Sequence, residues 1–209
     1  MKILIDNGHG SDTKGKHSPD NPPSLREPVW ARSCAARLKE ALEAEGLKVI
    51  MITPEETDTP LTKRVARINE ACAKYGVTNC VLVSIHNNAA GSDGKWHAAR
   101  GFSVFVSKNA SSKSKDLAAM FTDLAKERDL TGNRSIPTCK YWTWPLTKKA
   151  DIYILSKSRC PAVLTENLFQ DNFADIDFLN SEEGMQKLVE LHVDALKKYV
   201  AKYDSKNGK

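Results

Sequence analysis

Residues 3–10 read ILIDNGHG, in which three apolar residues precede an acid, an amide and a histidine between two glycines. The apolar residues favour a short buried strand, and the glycines indicate that this strand ends in a tight loop. In open α/β sheets, ligands bind at the carboxyl ends of the strands. The stretch therefore predicts an α/β domain and the edge of its sheet at which functional residues lie.

Apolar segments along the rest of the chain continue to alternate between strand and helix. Their spacing predicts strands at residues 49–52, 80–85, 102–106, 152–155 and 162–165, and helices at about 30–46, 61–75, 115–128 and 181–203. This order predicts a three-layer α/β sandwich, with a largely parallel, mixed central sheet flanked by helices. We expect one domain over residues 1–203 and a polar, frayed tail at residues 204–209.

The charge and hydropathy of the chain exclude two classes of partner. The 31 Lys and Arg residues exceed the 26 Asp and Glu residues by 5, which suits an anionic polymer. The dense basic blocks of nucleic-acid-binding proteins are missing, so no nucleic-acid partner is expected. No apolar run approaches the roughly 20 residues of a membrane span, so no membrane insertion is expected.

The five cysteines do not form the pattern of a disulfide framework or of a structural zinc site. Their number is odd, they are widely spaced, and no two of them make a Cys-x-x-Cys pair. We interpret most of them as small buried side chains. They are Cys34, Cys72, Cys80, Cys139 and Cys160.

Four short segments carry residues able to bind a metal, and three of them follow predicted strands. The segments are residues 6–10, 25–28, 84–88 and 163–167. Pro28 fits the first residue of a helix because its missing N–H would be unpaired there, which places Glu27 near the helix's N-cap and its positive end.

Two imidazoles and one carboxylate make a ligand set of catalytic zinc, which leaves a fourth position open. His9, Glu27 and His86 supply that set. Spacing alone leaves the assignment open, because 18 residues separate the first two and 59 the next two, unlike the short helical zinc motif. Taken alone, Glu166 is better interpreted as a carboxylate that caps or ion-pairs at a strand end, and it is the other three segments that favour a catalytic role.

In order and spacing, four blocks of the sequence resemble the motifs of the zinc-dependent N-acetylmuramoyl-L-alanine amidases of type 3. The blocks are residues 3–10, 24–27, 83–89 and 161–167, and the resemblance extends over about residues 2–200. It implies that His9, Glu27 and His86 bind one Zn²⁺ per chain and that Glu166 is the catalytic glutamate. The activity it implies is hydrolysis of the amide bond between N-acetylmuramic acid and L-alanine in bacterial peptidoglycan.

The chain departs from the family pattern at several positions. Asn7 and Ser11 stand where proline and glycine are common, and residues 167–169 read Asn-Leu-Phe where a small residue, glycine and phenylalanine often follow the glutamate. None of these departures removes a ligand, but each affects what can be inferred about substrate preference.

In the implied mechanism, zinc lowers the pKa of its bound water, and Glu166 acts first as general base and then as general acid. Asn87 or Asn88 would orient ligands or substrate. Trp142 and Trp144, in an aromatic segment at residues 141–145, are candidates for stacking on sugars or lining a peptide groove, with an ordinary core role as the alternative. We leave three other histidines out of the site, namely His17, His97 and His192.

Two other classes of function stay open. The chain would also fit another zinc hydrolase of similar fold, such as a peptidase or deacetylase, or a wall-binding module without turnover. Peptidoglycan is the expected partner, and a monomer acting at the bacterial cell wall is the expected form. The first apolar run is too short for a signal peptide, which fits a phage-type lysin or a trimmed form of a secreted autolysin.

Overall fold

The computed structural model describes residues 1–133, the backbone of residues 142–143, and residues 151–204. One mixed sheet forms its centre, and helices cover both faces. The strands are β1 (Lys2–Asp6), β2 (Lys48–Met51), β3 (Cys80–Asn88), β4 (Ser103–Val106), β5 (Trp142–Thr143) and β6 (Ala162–Phe169). The helices are α1 (Glu27–Ala44), α2 (Leu61–Tyr75), α3 (Ser112–Glu127), α4 (Tyr153–Lys157), α5 (Phe173–Asn180) and α6 (Glu182–Asp204).

The six strands lie in the order β2-β1-β3-β6-β4-β5, and four of them run parallel. β1 pairs with β2 and β3, and β3 pairs with β6, all in parallel register. β4 is antiparallel to β6 and parallel to β5. The expected largely parallel, mixed sheet is confirmed. Its arrangement brings the carboxyl ends of β1, β3 and β6 together at one edge.

Alternate residues of the central strands fill two separate cores. Ile3 and Ile5 belong to the cluster that includes side chains of α1, α3 and α6. Leu4 and Leu82 belong to the cluster that includes side chains of α2 and α4. Because a strand points successive side chains to opposite faces, a strand covered on both sides reads as an unbroken apolar run. The expected three-layer sandwich is confirmed.

The strand predicted at residues 152–155 is wrong. Residues 153–157 form the short helix α4, in which the N–H of Ser156 donates to the carbonyl of Ile152 at 2.9 Å. Ile154 and Leu155 are buried against the α2 side of the sheet. A short apolar run suits a buried helical turn as well as a buried strand, so periodicity did not separate the two.

Two further features of the helices were not expected. α5 begins after Asn172, whose side-chain oxygen accepts from the N–H of Asp175 at 3.2 Å and so caps the helix. Asp204, expected in the frayed tail, is the last residue of α6 and accepts from the N-terminal ammonium at 2.5 Å. Residues 205–209 lie outside the described part of the chain. None of the described helices is both long enough and apolar enough to span a membrane.

The cysteine interpretation is confirmed where the structure describes the residues. Four cysteines are buried with free thiols, and they are Cys34, Cys72, Cys80 and Cys160. Cys139 falls outside the described ranges.

His192, which the sequence analysis leaves out of the site, lies in the core of the domain. It is fully buried on α6, where its Nδ1–H donates to the carbonyl of Leu188 at 2.7 Å and its Nε2 lies 3.0 Å from the hydroxyl of Thr165. The ring of Phe121 packs edge-on against it at 5.0 Å between centroids. Burial lowers the pKa of His192 from 6.5 to about 4, so the folded protein holds a neutral imidazole.

This burial predicts an acid-sensitive core. As pH falls from about 6.5 toward 4, the unfolded chain takes up a proton at His192 while the folded chain does not, so the free energy of unfolding decreases by up to about 1.4 kcal/mol per pH unit. Denaturant titrations across this window should show a shallower pH dependence for His192→Gln than for the unsubstituted protein. Equal slopes would contradict a neutral buried imidazole.

Candidate metal centre

The loop after β1 brings His9 close to His86 because two glycines allow a tight approach. A Cβ on Gly8 would lie 2.2 Å from Cε1 of His86, and one on Gly10 would lie 1.9 Å from the backbone nitrogen of Asp58. His9 itself has a positive φ of 54°, in the left-handed region that non-glycine residues seldom adopt. The two imidazole rings meet edge to face, with 4.8 Å between centroids.

Glu27 is the first residue of α1, so the helix starts one residue earlier than the start predicted at Pro28. Arg26 occupies the N-cap position and Pro28 lies in the first turn, one step from the expected arrangement. Glu27 is 1% exposed, and its backbone N–H donates to the carbonyl of Lys16 at 3.0 Å. The carboxylate is therefore held inside the protein at the positive end of the helix.

The carboxylate of Glu27 joins the two histidines. Its Oε1 lies 3.3 Å from Nε2 of His9 and 3.0 Å from Nδ1 of His86, and it also accepts from the N–H of Asn87 at 3.2 Å. One ligand atom from each of the three side chains lies within 4.8 Å of the others. The structure thus brings together all three residues that the sequence singled out, in a cluster able to hold a metal ion.

Each charge in this cluster depends on its neighbours. Burial raises the pKa of Glu27, but hydrogen bonds with His86 and His9 outweigh burial and hold the pKa below its ordinary value. Burial lowers the pKa of His9. Burial also lowers the pKa of His86, but the hydrogen bond and the charge of Glu27 outweigh burial, so the pKa of His86 lies above its ordinary value. The arrangement therefore keeps the carboxylate ionised, as metal binding requires.

Glu166 lies on β6 directly opposite His86 on β3. Its Oε2 is buried and has no hydrogen-bond partner in the described part of the protein. Burial raises the pKa of Glu166 to about 7, with opposing contributions from His86 and from Glu27. A carboxyl group with this pKa exchanges protons near neutral pH, which is suited to general acid–base chemistry.

A bulge in β6 follows Glu166. His86 pairs with Glu166 but Asn88 pairs with Phe169, so two residues of β6 oppose Asn87. The side-chain amide of Asn87 donates to the carbonyl of Asn167 at 2.7 Å. Since Asn87 is only 3% exposed, it supports Glu27 and the bulge from within the protein.

The other candidates for substrate contact are Asn88, which lies on β3 two residues after His86, and the two tryptophans. The side chain of Asn88 accepts from the N–H of Ala89 at 2.9 Å. Trp142 pairs with Phe105 through the backbone of β5, at the sheet edge two strands from β6. Trp144 falls outside the described residues, and a substrate role for either tryptophan stays a prediction.

A buried network behind His86 was missed by the sequence reasoning. The hydroxyl of Ser84 lies 3.2 Å from Nε2 of His86 and donates to Oδ2 of Asp6 at 2.5 Å. Nη1 of Arg64 donates to Oδ1 of Asp6 at 2.9 Å. The one available signal was the presence of polar residues within apolar strands and of Arg64 beside Val65 on the buried face of α2.

A model of the type 3 N-acetylmuramoyl-L-alanine amidase family matches residues 3–198 of the sequence. The chain belongs to this family. Relatives of this chain include the probable cell wall amidase LytH of Staphylococcus epidermidis, 26% identical over 197 residues, and N-acetylmuramoyl-L-alanine amidase CwlM of Bacillus licheniformis, 25% identical over 201 residues. Each alignment covers 94% of this chain, with 57% of LytH and 67% of CwlM. The chain thus spans little more than half the length of LytH.

Solved structures agree with the fold of this chain. The N-acetylmuramoyl-L-alanine amidase from Clostridium difficile 630 superposes with a TM-score of 0.77 at 22% identity, and the match covers 96% of both chains. The Ami1 amidase from Mycobacterium smegmatis superposes with a TM-score of 0.75 at 18% identity, covering 97% of both. At this level of identity the likeness establishes the three-layer architecture.

The buried Asp6–Arg64 pair predicts a large cost for its disruption. Arg64→Met leaves the Asp6 carboxylate buried without its cation, and removal of one partner of a buried pair costs about 3–5 kcal/mol. Denaturant unfolding should show that the free energy of unfolding falls by this amount. Arg67→Met is the matched control on the same helix, because the partly exposed pair of Arg67 with Glu55 should contribute no more than about 1 kcal/mol. Equal losses of stability in the two variants would show that the buried Asp6–Arg64 pair matters no more to folding than the partly exposed Arg67–Glu55 pair.

Proposed function

We propose that this amidase hydrolyses the amide bond between N-acetylmuramic acid and L-alanine in bacterial peptidoglycan. The observation that carries the proposal is the convergence of His9, Glu27 and His86 beside Glu166, at the edge of the sheet where α/β enzymes bind ligands. Membership of the amidase family and the cell-wall names of the relatives support the choice of substrate.

The donor set of the cluster fits Zn²⁺. Two imidazole nitrogens and one carboxylate oxygen are ligands that zinc accepts in catalytic sites. The second oxygen of Glu27 is buried without a hydrogen-bond partner among the described residues, which leaves it available to a cation. When bound, zinc supplies Lewis-acid chemistry, by acidifying a water molecule and polarising the scissile carbonyl.

The protein's own contribution to the reaction is proton transfer by Glu166. In its ionised form, the carboxylate takes a proton from the attacking water. It then returns that proton to the nitrogen of the departing alanine, so the group is regenerated after each turnover. A pKa of about 7 suits both steps, because neither form of the carboxyl is strongly favoured near neutral pH. His9 and His86 remain neutral ligands in this scheme, with Glu27 as the third.

All four of these residues come from one chain, so the site is complete in a monomer acting at the cell wall. The family match over residues 3–198 supports a single catalytic domain over residues 1–203. A peptidase or deacetylase using the same metal cluster would release different products, and a wall-binding module would release none. Product analysis therefore separates the three functions.

Metal content tests the ligand assignment directly. We expect about one zinc per chain, measured by inductively coupled plasma mass spectrometry after dialysis. Since each ligand contributes to one small coordination shell, His9→Ala, Glu27→Ala and His86→Ala should each lose most of the metal. His17→Ala replaces an exposed histidine of the neighbouring loop and should retain it. Full zinc content in all three ligand variants would refute the site.

The role of Glu166 is tested by Glu166→Gln, which keeps the size of the side chain and removes its basic oxygen. Zinc content should stay near that of the unsubstituted protein, because three other residues bind the metal. Release of free alanine amines from purified cell walls should fall by at least about 10²-fold, as expected for loss of a positioned acid–base group. Near-normal release would remove Glu166 from the proton-transfer role, and loss of zinc would recast it as a ligand.

A further inference from the structure

Lys16 is placed beside the metal cluster by the loop between β1 and α1. The N–H of Ser18 donates to the carbonyl of Leu25 at 2.9 Å, and the N–H of Glu27 donates to the carbonyl of Lys16 at 3.0 Å. An isolated antiparallel bridge between His17 and Arg26 lies between these two bonds. The backbone of Lys16 is therefore fixed against the start of α1.

The ammonium group of Lys16 forms an ion pair with the buried carboxylate of Glu27 but no hydrogen bond. Its Nζ lies 3.8 Å from Oε2 of Glu27, which is longer than a hydrogen bond. The side chain is 35% exposed, so the charge lies at the boundary between the cluster and solvent. Of the three ion-pair partners that the described structure gives to Glu27, Lys16 alone carries a permanent positive charge.

A cation in the cluster changes what Lys16 can bind. Glu27 would then share its negative charge with the metal, and the nearby positive charges would repel each other. The ammonium of Lys16 has three N–H donors and a flexible stem, so it can turn toward another anion at the mouth of the site. The geometry favours an anionic group on the substrate, close to the bond that is cut.

We infer that Lys16 is a substrate-binding residue that pairs with a free carboxylate of the peptidoglycan stem peptide. The inference rests on the proposed function. The scissile amide and the sugar hydroxyls are uncharged, whereas the stem peptide carries carboxylates beyond the alanine. Lys16 therefore selects stems in which the carboxylate nearest the scissile bond is free over stems in which it is amidated.

The test compares two synthetic substrates, a muramoyl tripeptide with a free α-carboxylate on the residue after L-alanine and the same compound with that group as a carboxamide. Lys16→Met should raise KM for the free carboxylate by about fivefold, the upper end for a partly exposed ion pair, and should leave KM for the carboxamide unchanged. Lys16→Arg should keep most of the discrimination because it keeps the charge. Lys14→Met, on an exposed lysine of the same loop, is the control and should behave as the unsubstituted protein.

Two measurements separate binding of the substrate carboxylate by Lys16 from support of the zinc ligands and from contact with the reacting carbonyl. Zinc content should be equal in all four proteins, and a loss in Lys16→Met would mean that Lys16 supports the ligands instead. The preference for the free carboxylate should weaken in high salt, which screens exposed charges. An equal fall of kcat on both substrates would assign Lys16 to the reacting carbonyl and overturn the inference.

Binding of the released tripeptide keeps the inference distinct from the proposed function. Calorimetry of the zinc-loaded protein should show tighter binding of the free-carboxylate tripeptide than of its carboxamide, and Lys16→Met should remove the difference. If the unsubstituted protein cleaves neither substrate yet shows this Lys16-dependent binding, the proposed activity fails and the inference holds. Binding that does not depend on Lys16 overturns the inference whatever the outcome of the cleavage assay.

Discussion

The buried carboxylate of Glu27 is the charge on which the rest of the site depends. A carboxylate removed from water is unstable unless other groups match its charge, and here these groups come from two separate parts of the chain. His9 approaches from the loop after β1, His86 from the end of β3, and the N–H of Asn87 from the next residue of the same strand. Folding of the sheet and assembly of the site are therefore one event.

The order of strands in the sheet explains why these groups meet. β1, β3 and β6 are consecutive neighbours and run parallel, so the residues that follow their apolar segments all emerge at one edge. The bulge after Glu166 shifts the register by one residue beyond this point. Glu166 itself stays opposite His86, and Asn87 holds the bulged segment through the carbonyl of Asn167. The regular pairing of β3 with β6 therefore positions His86 opposite Glu166, and the irregular pairing begins only after these two residues.

The sequence was sufficient to predict the layers of the fold from local patterns. The cluster of His9, Glu27 and His86 followed from the resemblance to the amidase family, because spacing alone left that assignment open. Apolar runs define strands, and polar residues that interrupt them mark strand ends. It was not sufficient for α4, where four apolar-rich residues suit a strand or a helical turn equally well. The network from Arg64 through Asp6 to Ser84 depends on contacts between residues 58 and 78 positions apart. No local pattern encodes such a contact, and the pairing of α2 with this edge appears only in the folded chain.

The left-handed backbone of His9 has a consequence for the evolution of this domain. A residue with a Cβ is strained at a φ of 54°, and glycine would relieve that strain, yet glycine would remove one imidazole from the cluster. If His9 binds the metal as proposed, backbone strain at this position is kept for the sake of function, as in a stability–activity trade-off. Selection for stability alone would favour glycine or asparagine here, and the resulting protein would lack one proposed metal ligand.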